Sequence, residues 1–181
     1  MIALRTLLTS LRLTGLTILG IDPGLATVGI GLIERSHASA LRLVDFCTIE
    51  TPKGLPVPVR LQELAADLST LLEEFRPDLA VVERLYFATN RKTAMDVSAA
   101  RGVILLTLAG KGIEVLEPTP LQLKCAIAGD GKADKRQMRD MVLRTLHLSK
   151  ETFAGRSDDV IDALALSLYG AFTWRAEAKV L

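Results

Sequence analysis

The chain has 181 residues, of which 49% are hydrophobic and only 4% are aromatic. This length fits one compact domain, and the hydrophobic content excludes a disordered chain. The formal net charge of +1 does not by itself indicate nucleic-acid binding, so the distribution of charge matters more than its sum. The two cysteines, Cys47 and Cys125, have no disulfide or metal-ligand spacing, and we expect both to be buried in a cytoplasmic protein.

The first sixteen residues contain apolar residues, Arg5 and Arg12, and no acid. Arg12 interrupts the apolar stretch and no small-residue cleavage site follows, so the pattern does not predict a signal peptide. No apolar run in the chain is long enough to span a membrane. We interpret residues 1–16 as an N-terminal extension, either helical or disordered, residues 17–174 as a single domain, and residues 175–181 as a tail.

The pattern of residues 17–49 predicts three antiparallel strands, at 17–21, 28–33 and 41–49. A stretch rich in proline and glycine, residues 51–58, ends this section. Helices are then predicted at 61–75, 93–109, 121–128, 133–146 and 157–172, with strands at 78–82 and 113–116. This order predicts an α/β fold, with a mixed five-stranded sheet of three antiparallel strands followed by parallel strands, flanked by helices.

Several acidic residues stand where a globular domain would place an apolar residue. Asp22 and Glu83 each end an apolar run, and Asp162 lies inside one. Asp22 also fits the first position of a turn, and Glu83 fits a solvent-facing residue after a strand. Neither explanation applies to Asp162, because a carboxylate flanked by core residues is costly unless a cation or hydrogen bonds compensate it.

The helix that carries Asp162 begins with two further acids. Asp158 and Asp159 follow Ser157, which predicts a helix cap with two acids at the positive end of the helix dipole. Asp159 and Asp162 are three residues apart and therefore lie on one helical face, where two carboxylates repel each other. Which of Asp158 and Asp159 serves as a ligand depends on the register of this helix.

The predicted topology offers a way to bring these acids together. If the first and fourth strands are parallel neighbours, Asp22 and Glu83 project from adjacent strand ends, with the last helix packed across them. Four carboxylates around one cavity suit two Mg²⁺ or Mn²⁺ ions, and such ions suit phosphodiester hydrolysis. The chain has no Walker-type loop, dinucleotide fingerprint or Gly-x-Ser-x-Gly elbow.

With these residues in view, the chain resembles the RuvC family of Holliday-junction resolvases from about Thr17 to Thr173. The segments that carry the resemblance are Ile18-Leu19-Gly20-Ile21-Asp22-Pro23-Gly24, Val82-Glu83 with Tyr86-Phe87 and Asn90, Ala100-Arg101-Gly102, Pro120-Leu121-Gln122-Leu123-Lys124 and Asp159-Val160-Ile161-Asp162-Ala163-Leu164-Ala165. The chain departs from the family pattern at two places. Relatives usually have a small hydroxyl residue and a basic residue where this chain has Leu25-Ala26, and a basic residue where it has Thr89.

The resemblance implies a ribonuclease-H-like fold, a homodimer, and a four-way DNA junction cut symmetrically with two Mg²⁺ ions, or Mn²⁺ in their place. Asp22, Glu83, Asp159 and Asp162 match the four catalytic positions, which are also the metal ligands. A branch-migration complex of the RuvA/RuvB type is implied as a partner in recombination and DNA repair.

Contacts to DNA are predicted from the resemblance and from the local pattern. The residues concerned are Tyr86, Phe87, Asn90, Arg91, Lys92, Lys124, Lys132, Lys135 and Arg136. Either Tyr86 or Phe87 would stack on bases at the branch point, since every base offers a π-face to an aromatic ring. Residues 124–156 hold eight basic residues against four acids, which makes this stretch the candidate DNA-binding surface.

Two other functions are compatible with the pattern. One is a different ribonuclease-H-like nuclease, acting on RNA–DNA hybrids or other branched substrates. The other is a junction-binding protein with an inactive metal site. The four intact acids argue against the second alternative.

Overall fold

A mixed β-sheet lies at the centre of the protein in a computed structural model, which describes residues 2–3, 15–84, 91–153, 155 and 157–175. The strands within these residues are β1 (Ile2–Ala3), β2 (Leu16–Asp22), β3 (Thr27–Arg35), β4 (Leu41–Glu50), β5 (Leu79–Val82) and β6 (Glu114–Leu116). They form one sheet in the order β1-β4-β3-β2-β5-β6. The pairs β1·β4, β4·β3 and β3·β2 are antiparallel, and the pairs β2·β5 and β5·β6 are parallel. The predicted five-stranded mixed sheet is confirmed, and β1 adds a short sixth strand.

Helices cover both faces of this sheet. They are α1 (Val57–Phe75), α2 (Arg91–Gly110), α3 (Pro120–Ala128), α4 (Lys135–Thr145) and α5 (Asp158–Thr173), with one 3₁₀ turn at Lys150–Phe153. One apolar core lies between the sheet and α1 and α2, and a second lies between the sheet and α3, α4 and α5. None of the helices in the described part of the chain is long and apolar enough to cross a membrane.

Two details differ from the sequence-based expectation. Helix α1 begins at Val57, inside the stretch predicted as a loop, with Pro58 in its first turn. Proline is tolerated there because the first N–H groups of a helix have no intrahelical acceptor. The expectation that both cysteines are buried is wrong for Cys125, which is exposed on α3, whereas Cys47 is buried on β4. The exposed side of a short helix accepts a small residue of any polarity.

Helix α5 lies directly on the backbone of β2 and β3, because glycines leave space for it. A Cβ atom added to Gly20 would lie 1.9 Å from the carbonyl oxygen of Ala163, and one added to Gly29 would lie 2.0 Å from that of Asp159. At Gly31 the added Cβ would lie 2.8 Å from the Leu164 side chain and backbone. No real side chain fits at such distances, so the backbones themselves set the separation between α5 and the sheet.

The C-terminal end of α5 is held by two side chains from the sheet region. The Arg35 guanidinium, at the end of β3, donates a hydrogen bond to the carbonyl oxygen of Ala171. The Trp174 indole N–H, just after α5, donates to the Glu114 carboxylate on β6 at 2.9 Å. A cation at the C-terminus of a helix also interacts favourably with the helix dipole. Both contacts therefore fix the end of α5 that is remote from its acidic residues.

Because the Gly20 contact is between backbones, Gly20→Ala is expected to lower the free energy of unfolding by about 3 kcal/mol or more, at the upper end of overpacking costs. Urea denaturation followed by circular dichroism measures this change. Gly54→Ala is the matched control, because a Cβ atom added at Gly54 meets nothing within 4 Å. Equal stability of the two variants would show that α5 is not in backbone contact with β2.

Candidate active site

The candidate site lies where β2 and β5 end side by side. These strands are parallel neighbours, with Ile21 opposite Val82, so Asp22 and Glu83 follow at the same edge of the sheet. Side chains alternate along a strand, and Ile18 on β2 and Val81 on β5 both belong to the core beneath α5. Asp22 and Glu83 continue this alternation and project toward the α5 side. The predicted adjacency of the two strands is therefore confirmed.

Asp22, Glu83 and Asp162 line one cavity of about 240 Å³ between this edge and helices α3, α4 and α5. Its lining combines three carboxylates, two lysines and an apolar wall. The residues are Asp22, Glu83, Pro120, Leu123, Lys124, Lys135, Met138, Asp162 and Leu166. The apolar members were not predicted from the sequence, because their helical spacing is the same as that of ordinary core residues.

Burial and mutual repulsion perturb the three carboxyls. Burial, followed by the charges of Asp162, Glu83 and Asp159, raises the pKa of Asp22 from 3.8 to about 8, against an opposing effect of Lys135. Burial and the Asp162 charge raise the pKa of Glu83, and Lys124 opposes them. Burial also raises the pKa of Asp162, which Lys135 counteracts from 3.8 Å. The site therefore concentrates more negative charge than its surroundings compensate.

Asp159 lies beside the cavity, in the first turn of α5. Its charge contributes to the raised pKa of Asp22, but it is not among the residues that line the cavity. The Ser157 hydroxyl donates a hydrogen bond of 2.5 Å to the Asp159 carboxylate, and Ser157 is the N-cap of α5. Asp158 is instead 65% exposed and lies 3.4 Å from Arg139 of α4. The geometry thus favours Asp159 over Asp158 as the acid nearer the site.

Helix caps place the two lysines at the cavity. Thr119 and Gln122 form a capping box at the start of α3, which carries Lys124. Asp134 and Gln137 form another at the start of α4, where Lys135 is the first residue. Each box satisfies backbone N–H groups that the first helical turn leaves unpaired, so both helices begin at a defined residue.

The remaining predicted DNA contacts fall outside the cavity or outside the described residues. Lys132, in the turn before α4, and Arg136, in its first turn, are exposed and do not line the cavity. Tyr86, Phe87 and Asn90 lie outside the residues that the structure describes. Arg91 and Lys92 begin α2, but only the course of their backbone is described.

The donor chemistry of the site fits hard divalent cations, which prefer carboxylate oxygens. Within the described residues, however, no three acidic, histidine or cysteine side chains are grouped closely enough to hold a metal ion as they stand. The carboxylates share the cavity and raise one another's pKa without forming a closed cage. Binding a cation therefore requires them to rotate toward it, and the cation would relieve their repulsion.

Sequence reasoning assigned no role to Arg101, although it contacts the site. Its side chain donates a hydrogen bond to the backbone carbonyl of Glu83 at 3.0 Å and forms an ion pair with Glu117. In the sequence it is marked by the segment Ala100-Arg101-Gly102, which carries part of the family resemblance, but that segment did not indicate a contact with the site.

Because the folded protein favours protonated Asp22, its ionisation destabilises the fold. The contribution of Asp22 to stability without metal is expected to be greatest below pH 4 and to fall as the pH rises toward 8, as for any acid with a raised pKa. Asp22→Asn removes this loss, and in EDTA it is expected to raise the free energy of unfolding at pH 7 on the order of 2–4 kcal/mol, with little effect at pH 4. Urea denaturation at both pH values measures the difference.

The control for this prediction is Asp130→Asn, since Asp130 is exposed in the turn between α3 and α4. A stability gain in Asp22→Asn that is the same at pH 4 and pH 7 would contradict a raised pKa of Asp22.

Comparison with known proteins agrees with this geometry. The model of the family described as crossover junction endodeoxyribonuclease RuvC matches residues 18–169. The protein of that name from Chloroflexus aggregans is 49% identical over 155 residues, which cover 86% of this chain and 92% of that protein. Its counterpart from Rubrobacter xylanophilus is 46% identical over 161 residues, which cover 89% and 88% of the two chains.

A solved structure gives the same result. The RuvC protein of T. thermophilus in complex with a Holliday junction substrate superposes with a TM-score of 0.79 at 32% identity, covering 87% of this chain and 93% of that one. The sheet order and its flanking helices are those of the ribonuclease-H-like fold. The chain therefore belongs to the RuvC family of crossover junction endodeoxyribonucleases.

Proposed function

We propose that this chain resolves four-way DNA junctions by symmetric, metal-dependent hydrolysis of two phosphodiester bonds, in recombination and DNA repair. The observation that carries the proposal is the cavity in which Asp22, Glu83 and Asp162 face Lys124 and Lys135 at one end of the sheet. Carboxylates there suit metal ligation, and lysines at the same cavity suit the phosphate of the scissile bond.

The family consists of divalent-metal-dependent nucleases. We propose Mg²⁺ as the ion, two per site and replaceable by Mn²⁺, held by Asp22, Glu83, Asp159 and Asp162. When bound, the ions supply an activated water and stabilise the leaving oxygen. Leu123, Met138 and Leu166 form part of the apolar wall of this cavity.

The basic residues of α3 and α4 are proposed to orient the DNA backbone. Lys135 is suited to this because its side chain is 81% exposed and yet its ammonium lies 3.8 Å from Asp162. A phosphate entering the cavity would therefore meet Lys135 and the acidic cluster together. Lys132 and Arg136 extend the same surface, and affinity that depends on such contacts falls as salt is added. Stacking by Tyr86 or Phe87 at the branch point remains a prediction.

We further propose that the chain acts as a homodimer through α2. Exposed residues recur along this helix at spacings of three and four, including Met95 at 77% and Leu106 at 73% exposure, with Gly102 between them. A glycine in a helix costs about 1 kcal/mol, and its use here favours a close approach of another backbone. Twofold symmetry in such a dimer would match the approximate symmetry of the junction. A branch-migration complex and a cytoplasmic location follow from the resemblance alone.

If the carboxylates hold the ions, Asp22→Asn and Asp162→Asn are each expected to lower cleavage on the order of 10²-fold or more while junction binding is retained. Strand-resolved cleavage of a mobile four-way junction in Mg²⁺ or Mn²⁺ measures the rate, with EDTA as the blank. Gel shifts in EDTA measure binding. Retained cleavage, or lost binding in a folded variant, would contradict the assignment.

The same assay separates the alternative functions. An RNA–DNA hybrid duplex of equal length is the comparison substrate for a different ribonuclease-H-like nuclease. Preferential cleavage of the hybrid would favour that nuclease. Binding without cleavage in either metal would favour an inactive junction-binding protein.

The dimer is tested by Leu106→Glu, which places a charge on the exposed stripe of α2. This variant is expected to sediment as a monomer in analytical ultracentrifugation at concentrations where the unaltered chain is a dimer, because an unpaired charge in an interface is costly. Phe172→Glu is the control, since Phe172 is 49% exposed at the far end of α5. An unchanged sedimentation coefficient in Leu106→Glu would refute the α2 interface.

A further inference from the structure

Arg101 connects α2 to the end of β5, next to the acidic cavity. It is on the helix proposed to form the dimer contact, but its own side chain is only 18% exposed and points inward. The Nε–H group donates a hydrogen bond of 3.0 Å to the backbone carbonyl of Glu83. The Nη2 group of the same guanidinium pairs with the carboxylate of Glu117, the residue after β6.

Glu83 is the residue that most needs such a contact. Strand β5 ends at Val82, and the ladder to β6 ends at Val81, so no strand pairing orients Glu83. The peptide that joins Glu83 to Arg84 is instead held at both ends. Its carbonyl accepts from Arg101, and its N–H donates to the carbonyl oxygen of Pro118 at 2.8 Å.

These contacts close a ring of connected groups. Pro118 accepts the N–H of this peptide, and Arg101 donates to its carbonyl. Arg101 is in turn paired with Glu117, the residue that directly precedes Pro118. Holding a peptide plane at both ends restricts ψ of Glu83 and φ of Arg84. The direction of the Cα–Cβ bond of Glu83 is fixed as a result, and rotation about the side-chain bonds then turns the carboxylate toward a cation.

We propose that Arg101 is a positioning residue that holds the Glu83 carboxylate at the metal site, with Glu117 holding Arg101 in place. The inference rests on the proposed function, in which Glu83 is a ligand. Groups that orient a metal ligand typically contribute 10- to 100-fold to metal affinity or activity. A partly exposed ion pair that serves stability alone contributes little to stability and has no effect on metal binding.

Arg101→Lys separates the two roles. Lysine keeps the positive charge for Glu117 but has a single donor group, which cannot reproduce the forked geometry that also reaches the Glu83 carbonyl. The variant is expected to need about 10-fold more Mn²⁺ for half-maximal thermal stabilisation in the absence of DNA, and to cleave a four-way junction about 10- to 100-fold more slowly in single turnover. Its melting temperature without metal and its affinity for the junction in EDTA are expected to stay at wild-type values.

Two further variants complete the experiment. Glu117→Gln keeps size and position but weakens the hold on Arg101, so a smaller shift in the same direction is expected; it also serves if Arg101→Lys does not fold. Lys111→Met is the matched control, since it breaks the 2.8 Å ion pair to Glu73 between α1 and the turn after α2. It is expected to change neither metal response nor cleavage.

The outcomes are distinct. A raised Mn²⁺ requirement in Arg101→Lys, with normal junction binding, supports the positioning role. A wild-type Mn²⁺ response in both Arg101→Lys and Glu117→Gln overturns it and leaves the proposed function standing. An unaltered protein that cleaves no junction in either metal overturns the proposed function, and the positioning role with it.

Discussion

The backbone contact between α5 and the glycines of β2 and β3 is the constraint on which the site depends. Gly20 and Gly29 let the helix approach until carbonyl oxygens of α5 occupy the space of a Cβ atom. Asp159 is itself one of the residues in contact, and Asp162 lies one turn further along the same helix. The two helical acids are therefore placed relative to Asp22 by the closest separation that two backbones allow, and not by adjustable side-chain packing.

This close approach also explains the electrostatics of the cavity. Carboxylates on a loop could move apart into water, but Asp22 and Asp162 belong to a strand and a helix that cannot separate without losing the core beneath α5. Burial first, and then the charges of neighbouring acids, raise the pKa of Asp22 and of Asp162. Lys124 and Lys135 offset part of the repulsion between the acids from helices whose starting points are fixed by capping boxes. The buried carboxyls thus lower the stability of the fold and place negative charge where cations and phosphate are to bind.

Most of the fold could be predicted from the sequence because its elements have regular periodicity and clear ends. The predicted order of strands and helices allowed the strands before Asp22 and Glu83 to be parallel neighbours, with the last helix packed across them. Arg101 could not be predicted in the same way, since its acceptor is a backbone carbonyl that leaves no mark on residue identity. The exposure of Cys125 was missed because a small residue on a nine-residue helix carries little information about its face.

The contacts of Arg35 and Trp174 at the far end of α5 have a mechanical consequence. The glycines beneath α5 carry no side chains of their own that would resist sliding of the helix along its axis. The last turn of α5 is instead attached to two strands of the sheet. Arg35 on β3 binds Ala171, and Glu114 on β6 binds Trp174. These contacts resist displacement of α5 along its axis. They lie about 20 Å from the acids, because a helix rises about 1.5 Å per residue. Helix α5 is therefore fixed at both ends, by the glycine contacts beside its acids and by Arg35 and Trp174 at its last turn.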